Sequence, residues 1–269
     1  MKRRSSQILH AFIALVLALS LTLPASAALG TDGANISTNV DNQWLPVGGA
    51  EIQLDDDTTS LPQGVSTDWW AAVQENIRTS EYQVVWQDHT NLADVTDAYQ
   101  APNRAQNLRT YFTPSGICIV PRDSTTPGWE LGLTLAAYGY EGNTQPMGST
   151  EPIVDGNRVE YQRGTVTEWY LNDERGLEHG FTIFSPPAHH TGADESGELT
   201  HLVLELAVSG NLVPALSYDR QSIEFTTTDG IRVLSYGGLH ATDANGRKLP
   251  SHMSLDQSCI SIEVDDSSA

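Results

Sequence analysis

Residues 164–183 read GTVTEWYLNDERGLEHGFTI. In the first half Val166, Glu168 and Tyr170 fall on one side, and Thr167, Trp169 and Leu171 on the other, the period of two that marks a strand. Asn172-Asp173-Glu174-Arg175-Gly176 has turn composition, and Gly176 can take the left-handed conformation that side chains disfavour. Leu177 to Phe184, LEHGFTIF, then runs back as a second strand. The stretch predicts a β-hairpin whose turn charges Glu174, Arg175 and Glu178 face water, where ion pairs contribute about 0–1 kcal/mol.

The same period recurs through most of the chain. In WELGLTLAAY, Trp129, Leu131, Leu133 and Leu135 share a face, and in HLVLELAV, Leu202, Leu204, Leu206 and Val208 do so. SIEFT, IRVLSY and CISIEV repeat the alternation. Pro114-Ser115-Gly116, Asp155-Gly156-Asn157, Asp229-Gly230 and Asn245-Gly246 separate these runs with the residues that tight turns require. One segment departs from the pattern: in DWWAAVQENIRTSEY, Trp69, Val73 and Ile77 recur every fourth residue, which predicts a short helix capped by Thr67 or Asp68. No strand–helix–strand rhythm follows it. The expectation is an all-β fold, an antiparallel β-sandwich or extended multi-stranded β domain with one short N-terminal helix.

The N-terminus has a different character. Lys2, Arg3 and Arg4 precede an apolar run from Ile8 to Leu23, then Pro24 and Ala25-Ser26-Ala27. Small residues at the last and third-last positions fit a signal peptidase, so residues 1–27 read as a signal peptide, cut between Ala27 and Ala28. An uncleaved anchor is the competing reading, but the apolar run is short for a span and ends in a cleavage pattern. Residues 28–66 are acidic and polar and read as a flexible leader, in which Ala50–Leu54 is the one strand candidate. Residues 67–269 then form the β domain. The whole chain carries 14 basic and 34 acidic residues. Loss of the signal removes three basic residues and leaves a net charge of −23. Such a surface repels nucleic acid and anionic lipid, and nothing after the signal is long and apolar enough to insert stably in a membrane.

Candidate chemistry is sparse. G-x-S-x-G, H-E-x-x-H, phosphate-loop and dinucleotide fingerprints are all missing, so no catalytic residues and no cofactor are expected. Glu168 and Glu178 lie on paired strands, and a glycosidase needs two carboxyls about 5–10 Å apart, one with a raised pKa. Trp169 or Tyr170 beside Glu168 and Glu178 can equally form a sugar-stacking platform, or simply belong to the core. His189-His190 with Asp194, Glu195 and Glu198 collects ligand types, but adjacent histidines on an extended chain point apart. Asp55-Asp56-Asp57 and Asp243-Ala244-Asn245-Gly246 resemble fragments of calcium loops without the closing bidentate acid. No metal site is expected. Cys118 and Cys259 sit in an exported chain; a disulfide between them would close a long loop, and the alternative is two separate buried thiols.

The order of several segments carries a resemblance. AYQAPNRAQNLRTYFTPSGICIVPR, WELGLTLAAYGY, the hairpin EWYLNDERGLEHGFTI and GIRVLSYGGLHATDANGRKLP together resemble the N-terminal β domain of unknown function that precedes FG-GAP or SBBP-type β-propeller repeats in bacterial secreted and surface proteins. The resemblance covers about Trp69 to Asp266. It implies an exported β module of an adhesin-like protein, with no catalytic residues to carry over. A non-enzymatic structural or interaction role is expected, with an extracellular glycan or surface protein as partner. The relatives run on after CISIEVDDSSA, so a final strand and downstream repeats are expected to be missing here. The alternative function is that of an extracellular carbohydrate-binding or glycoside-processing protein.

Overall fold

The structure is a computed structural model that describes residues 15–22, 66–122, 128–187, 201–267 and 269. The chain first forms β1 (Leu15–Thr22), α1 (Thr67–Ser80), β2 (Val85–Gln87), β3 (Ala98–Asn103), β4 (Leu108–Thr113) and β5 (Gly116–Pro121). Then come β6 (Leu131–Tyr140), β7 (Asn143–Pro146), β8 (Ile153–Asp155), β9 (Arg158–Arg163), β10 (Val166–Asp173) and β11 (Gly176–Ile183). The remaining strands are β12 (Leu202–Gly210), β13 (Val213–Leu216), β14 (Ser222–Thr226), β15 (Arg232–Thr242), β16 (Lys248–Leu249), β17 (Ser251–Asp256) and β18 (Cys259–Val264).

These strands make two antiparallel sheets of nine. The first has the order β13-β14-β15-β1-β11-β10-β9-β8, with β16 beside β15. The second has the order β17-β18-β12-β6-β5-β4-β3-β2, with β7 beside β6. Their inner faces share one core. Phe112 of β4 meets Tyr170 of β10 edge to face, ring centroids 5.5 Å apart, and the Tyr161 hydroxyl of β9 donates to the Gly116 carbonyl at 3.3 Å. The fold is all-β and sandwich-like, as the alternation predicts. The sandwich lies in a unit made of Met1–Pro24 and Arg78–Ala269; Ala25–Ile77 is a second unit.

Turn chemistry acts where it was expected. Gly156, Gly230 and Gly246 take φ of 60°, 82° and 78°, left-handed values that cost glycine nothing. Two departures from strict alternation have one cause. The β6–β12 register runs Glu205↔Ala137 and then Leu206↔Leu135, so Ala136 is an extra residue. This bulge reverses the phase and brings Tyr138 and Tyr140 into the core that holds Leu131, Leu133 and Leu135. In β15 a second bulge falls at Gly238, φ 76°, so that Leu234 and Tyr236 before it, and Leu239 and Ala241 after it, are all buried.

The helix is where the four-residue period put it, with one correction: its cap is neither Thr67 nor Asp68. Ser66 Oγ accepts from the Trp69 N–H at 3.3 Å, and Trp69 itself is 56% exposed. Three of the four sheet ends are blunt. β2 and β8 have three residues each, and β13 carries Pro214, devices that discourage edge-to-edge pairing.

β1 was not anticipated. It comes from the run read as the signal core, yet it pairs with β11 on one side and β15 on the other. Leu15, Leu17, Leu19 and Leu21 stand in register with Ile183, Phe181, His179 and Leu177. The cleavage point between Ala27 and Ala28, the leader strand candidate Ala50–Leu54 and the His189-His190 loop lie outside the described residues.

Candidate functional site

The hairpin β10–β11 carries the densest chemistry. Its register pairs Glu168 with Phe181, Tyr170 with His179 and Leu171 with Glu178. Because faces alternate, Glu168, Tyr170 and His179 point into the sandwich, and all three are fully buried. Burial alone would raise the Glu168 carboxyl, but three donors converge on it. His179 Nε2 lies 3.2 Å from Oε1, the Tyr170 hydroxyl donates to Oε1 at 2.8 Å, and Arg163 Nε donates to Oε2 at 3.0 Å. These bonds, with the Arg163 charge, hold the carboxyl below its ordinary value, so it is ionised.

The network extends in two directions. The Tyr236 hydroxyl of β15 lies 3.0 Å from His179 Nδ1. His179 thus links the Tyr236 hydroxyl to the Glu168 carboxylate through its two ring nitrogens. Tyr170 stacks on His179 with centroids 4.2 Å apart, and burial pushes both the Tyr170 and the Tyr236 phenols far up. On the other side the Arg163 guanidinium lies over the Tyr161 ring and donates through Nη1 to the Gly148 carbonyl.

Glu178 has no part in this. It sits on the outer face of the sheet, partly exposed, with Arg175 Nη2 4.0 Å from its Oε2. The pairing of Glu168 with Glu178 as one ligand-binding or catalytic pair is therefore corrected: they flank opposite faces of a sheet and cannot share a substrate. An ionised, water-free Glu168 also lacks the raised pKa that a general acid requires. Trp169 shares the outer face with Glu178, but it is only 7% exposed, and the Arg158 guanidinium lies 4.6 Å above its ring. Neither face of the hairpin presents the open aromatic platform that sugar stacking needs.

The disulfide expectation is corrected too. Cys118 and Cys259 are both free. β5 and β18 are separated by β6 and β12, three strand spacings or about 14 Å, against the roughly 4.4–6.8 Å between Cα atoms that a disulfide spans. Cys118 packs with Tyr111 and Val120 on the outer face of the second sheet, beneath Leu92 and Val95. Burial and the neighbouring Glu130 push its thiol well up, which makes it a poor nucleophile.

Asp243, part of the calcium-loop fragment, has other occupation. Its Oδ1 accepts from the backbone N–H groups of Asn245 and Arg247 at 2.9 and 2.8 Å, and the Arg247 side chain covers Oδ2. The backbone bond from Arg247 holds the carboxyl below the usual range and closes the β15–β16 turn. Among the described residues no three His, Cys, Asp or Glu side chains are placed to hold a metal, and no helix is long and apolar enough to cross a membrane.

Two features escaped the sequence reading. Asn172, read as a turn residue, is 2% exposed and fastens the hairpin to β3: its Nδ2 donates to the carbonyls of Tyr82 and Pro102 at 2.9 and 2.8 Å, and its Oδ1 accepts from Asn103 Nδ2 at 2.9 Å. Its inward phase, two residues beyond Tyr170, was the available signal. The second is a cleft of about 430 Å³ lined by Tyr138, Asn143, Gln145, Met147, Arg163, Thr165 and Pro187. Among the described residues Arg163 Nη2 is buried with no hydrogen-bond partner. Compared with known proteins, the chain matches no family model, no curated protein and no solved structure.

Proposed function

We propose that the chain is an exported, non-enzymatic β module with a structural or interaction role in a cell-surface or adhesin-like protein, of the kind in which such a domain precedes β-propeller repeats. One observation carries this reading. Three of the four residues that offered chemistry in the sequence are taken up by the fold: Glu168 is ion-paired and hydrogen-bonded inside the sandwich, Tyr170 is sealed in the core, and Trp169 lies under Arg158. A surface or secreted location agrees with the N-terminal signal pattern and the acidic composition.

A second reading, binding of an extracellular glycan, has a specific observation in its favour. The 430 Å³ cleft joins a tyrosine, two amide side chains and an arginine, groups that suit hydroxyls and a sugar carboxylate. Titration of the exported chain with neutral and acidic polysaccharides, read by intrinsic tryptophan fluorescence and calorimetry, separates the two. The module reading expects a flat response from a chain shown by circular dichroism to be folded β. Saturable binding of one glycan, abolished by Arg163→Met in a variant that still folds, would transfer the assignment to the cleft.

A further inference from the structure

The position of β1 sets a problem of occupancy. β11 and β15 are hydrogen-bonded to β1 and not to each other. They stand two strand spacings apart, about 10 Å, and cannot bond directly across that distance. Withdrawal of β1 would leave facing rows of unpaired N–H and C=O groups along two long strands. It would also open the core, because Leu177, His179, Phe181, Leu234 and Tyr236 are buried beside this slot. The Tyr236 hydroxyl reaches His179 Nδ1 across it, so water entering the slot would wet the Glu168 network as well.

The sequence of β1 states what the slot accepts. LVLALSLT is uncharged and places leucine at every second residue. The leucine positions share register with the buried residues of β11, and Val16, Ala18 and Ser20 share register with Thr182, Gly180 and Glu178. An export signal needs hydrophobicity, but it does not need period two; a strand does.

We propose that the slot between β11 and β15 is a strand-acceptor site. In the exported chain, which begins at Ala28, it takes an extended, uncharged segment of a second polypeptide, matching the eight residues of β1, with large aliphatic residues at alternate positions. The donor comes from outside because the leader cannot supply it. Within residues 28–66 the alternating run Ala34–Val40, ANISTNV, puts Ala34, Ile36, Thr38 and Val40 at alternate positions, so two of the four are small or polar where β1 has leucine throughout. Ala50–Leu54 is short and runs into Asp55-Asp56-Asp57. This inference rests on the export reading above and deepens it by naming what the module binds.

The test begins with the intact mass of the exported protein. A chain beginning at Ala28 is expected; a chain that keeps residues 15–22 fills its slot itself and overturns the proposal. The purified exported chain is then titrated with a labelled peptide of the sequence LVLALSLT, carrying lysines at both ends for solubility. Saturable one-to-one binding is expected, with new hydrogen-exchange protection in β11 and β15. A peptide with Leu17→Asp and Leu19→Asp should bind at least about tenfold more weakly, because it would bury two carboxylates. Absence of binding by a folded chain, or full protection of both strands without peptide, overturns the proposal. So does protection that arises only from self-association. If the exported chain is unfolded alone, peptide-dependent near-ultraviolet circular dichroism supports the slot, and its absence refutes it. The glycan titration uses a different probe, so failure of the module reading and failure of the slot are told apart.

Discussion

The two inner faces of the sandwich meet in one core but are built on different principles. The second sheet contributes Leu131, Leu133, Leu135, Leu204, Leu206, Ile260 and Ile262, an apolar wall. Facing it, the first sheet buries Arg163, Glu168 and His179 among Tyr161, Tyr170 and Tyr236. An apolar wall tolerates exchange of one aliphatic residue for another of similar volume. A buried network does not, since its members depend on one another for most of their hydrogen bonds. The comparison separates a face that supplies bulk stability from one that fixes a particular arrangement of β9, β10, β11 and β15.

The largest expected effect breaks the polar side. Glu168→Gln should destabilise a chain with β1 in place by about 3–5 kcal/mol in urea unfolding, because it leaves the Arg163 charge buried without its partner. Leu204→Ala, on the apolar side, should cost about 2–5 kcal/mol by removing buried methyl groups and leaving a cavity. The informative variant is the double change Arg163→Met with Glu168→Leu. It removes both charges of the pair and should recover most of the loss, since buried ion pairs are often replaced by apolar residues without penalty. A double variant no better than Glu168→Gln would show that His179 and Tyr236 depend on the carboxylate as much as Arg163 does.

Acid sharpens the same contrast. The folded-state pKa of Glu168 lies below its unfolded value, so in acid the unfolded chain binds the extra proton more readily. Its stabilisation is therefore complete above the ordinary glutamate range and is lost as pH falls through the depressed folded value. Wild type should lose more stability than Glu168→Gln between pH 7 and pH 3, measured as the shift in urea midpoint. Equal losses would assign the acid sensitivity to other carboxylates, such as Asp243.

Between the sheets, Asn172→Ala should cost about 1–3 kcal/mol, the range for stranding buried polar groups, here the Tyr82 and Pro102 carbonyls and the Asn103 amide. Hydrogen exchange should quicken first in β3 and around the β10–β11 turn. Asn172→Asp should be worse than Ala, because it would bury a carboxylate oxygen against two carbonyl oxygens.

Alternation made most of this architecture legible beforehand. Leu131 to Leu135, Leu202 to Leu206 and the hairpin faces needed only period two, and Gly156, Gly230 and Gly246 announced their turns. What stayed hidden was non-local. A bulge at Ala136 or Gly238 is one residue of excess against a partner strand, and no single strand displays it. Glu168 reads in the sequence as a candidate ligand-binding or catalytic acid because its three donors come from positions 163, 170 and 179, whose meeting depends on register across β9, β10 and β11. Cys118 and Cys259 each lay in a readable strand, but their separation depends on sheet order. β1 is hidden for another reason: its hydrophobicity also fits an export signal, and that pattern masks the period of two within it.

The smallest effect tests the outer face of the hairpin. Arg158 covers Trp169 from a position that water still reaches, its side chain 37% exposed, and it also donates to Glu160 at 2.7 Å. A cation over an indole at such a site contributes about 0.5–1 kcal/mol. Arg158→Ala should therefore lower stability by about that much while leaving the Glu168 network intact, since the two lie on opposite sides of β10. Tryptophan emission should shift to the red as the ring becomes wet. Thermal unfolding and the emission maximum of Arg158→Ala, set beside those of Glu168→Gln, put a number on how far the two faces of one strand differ. A loss from Arg158→Ala as large as that from Glu168→Gln would mean that the outer face also helps to hold the sheet, and the contrast between faces would not stand.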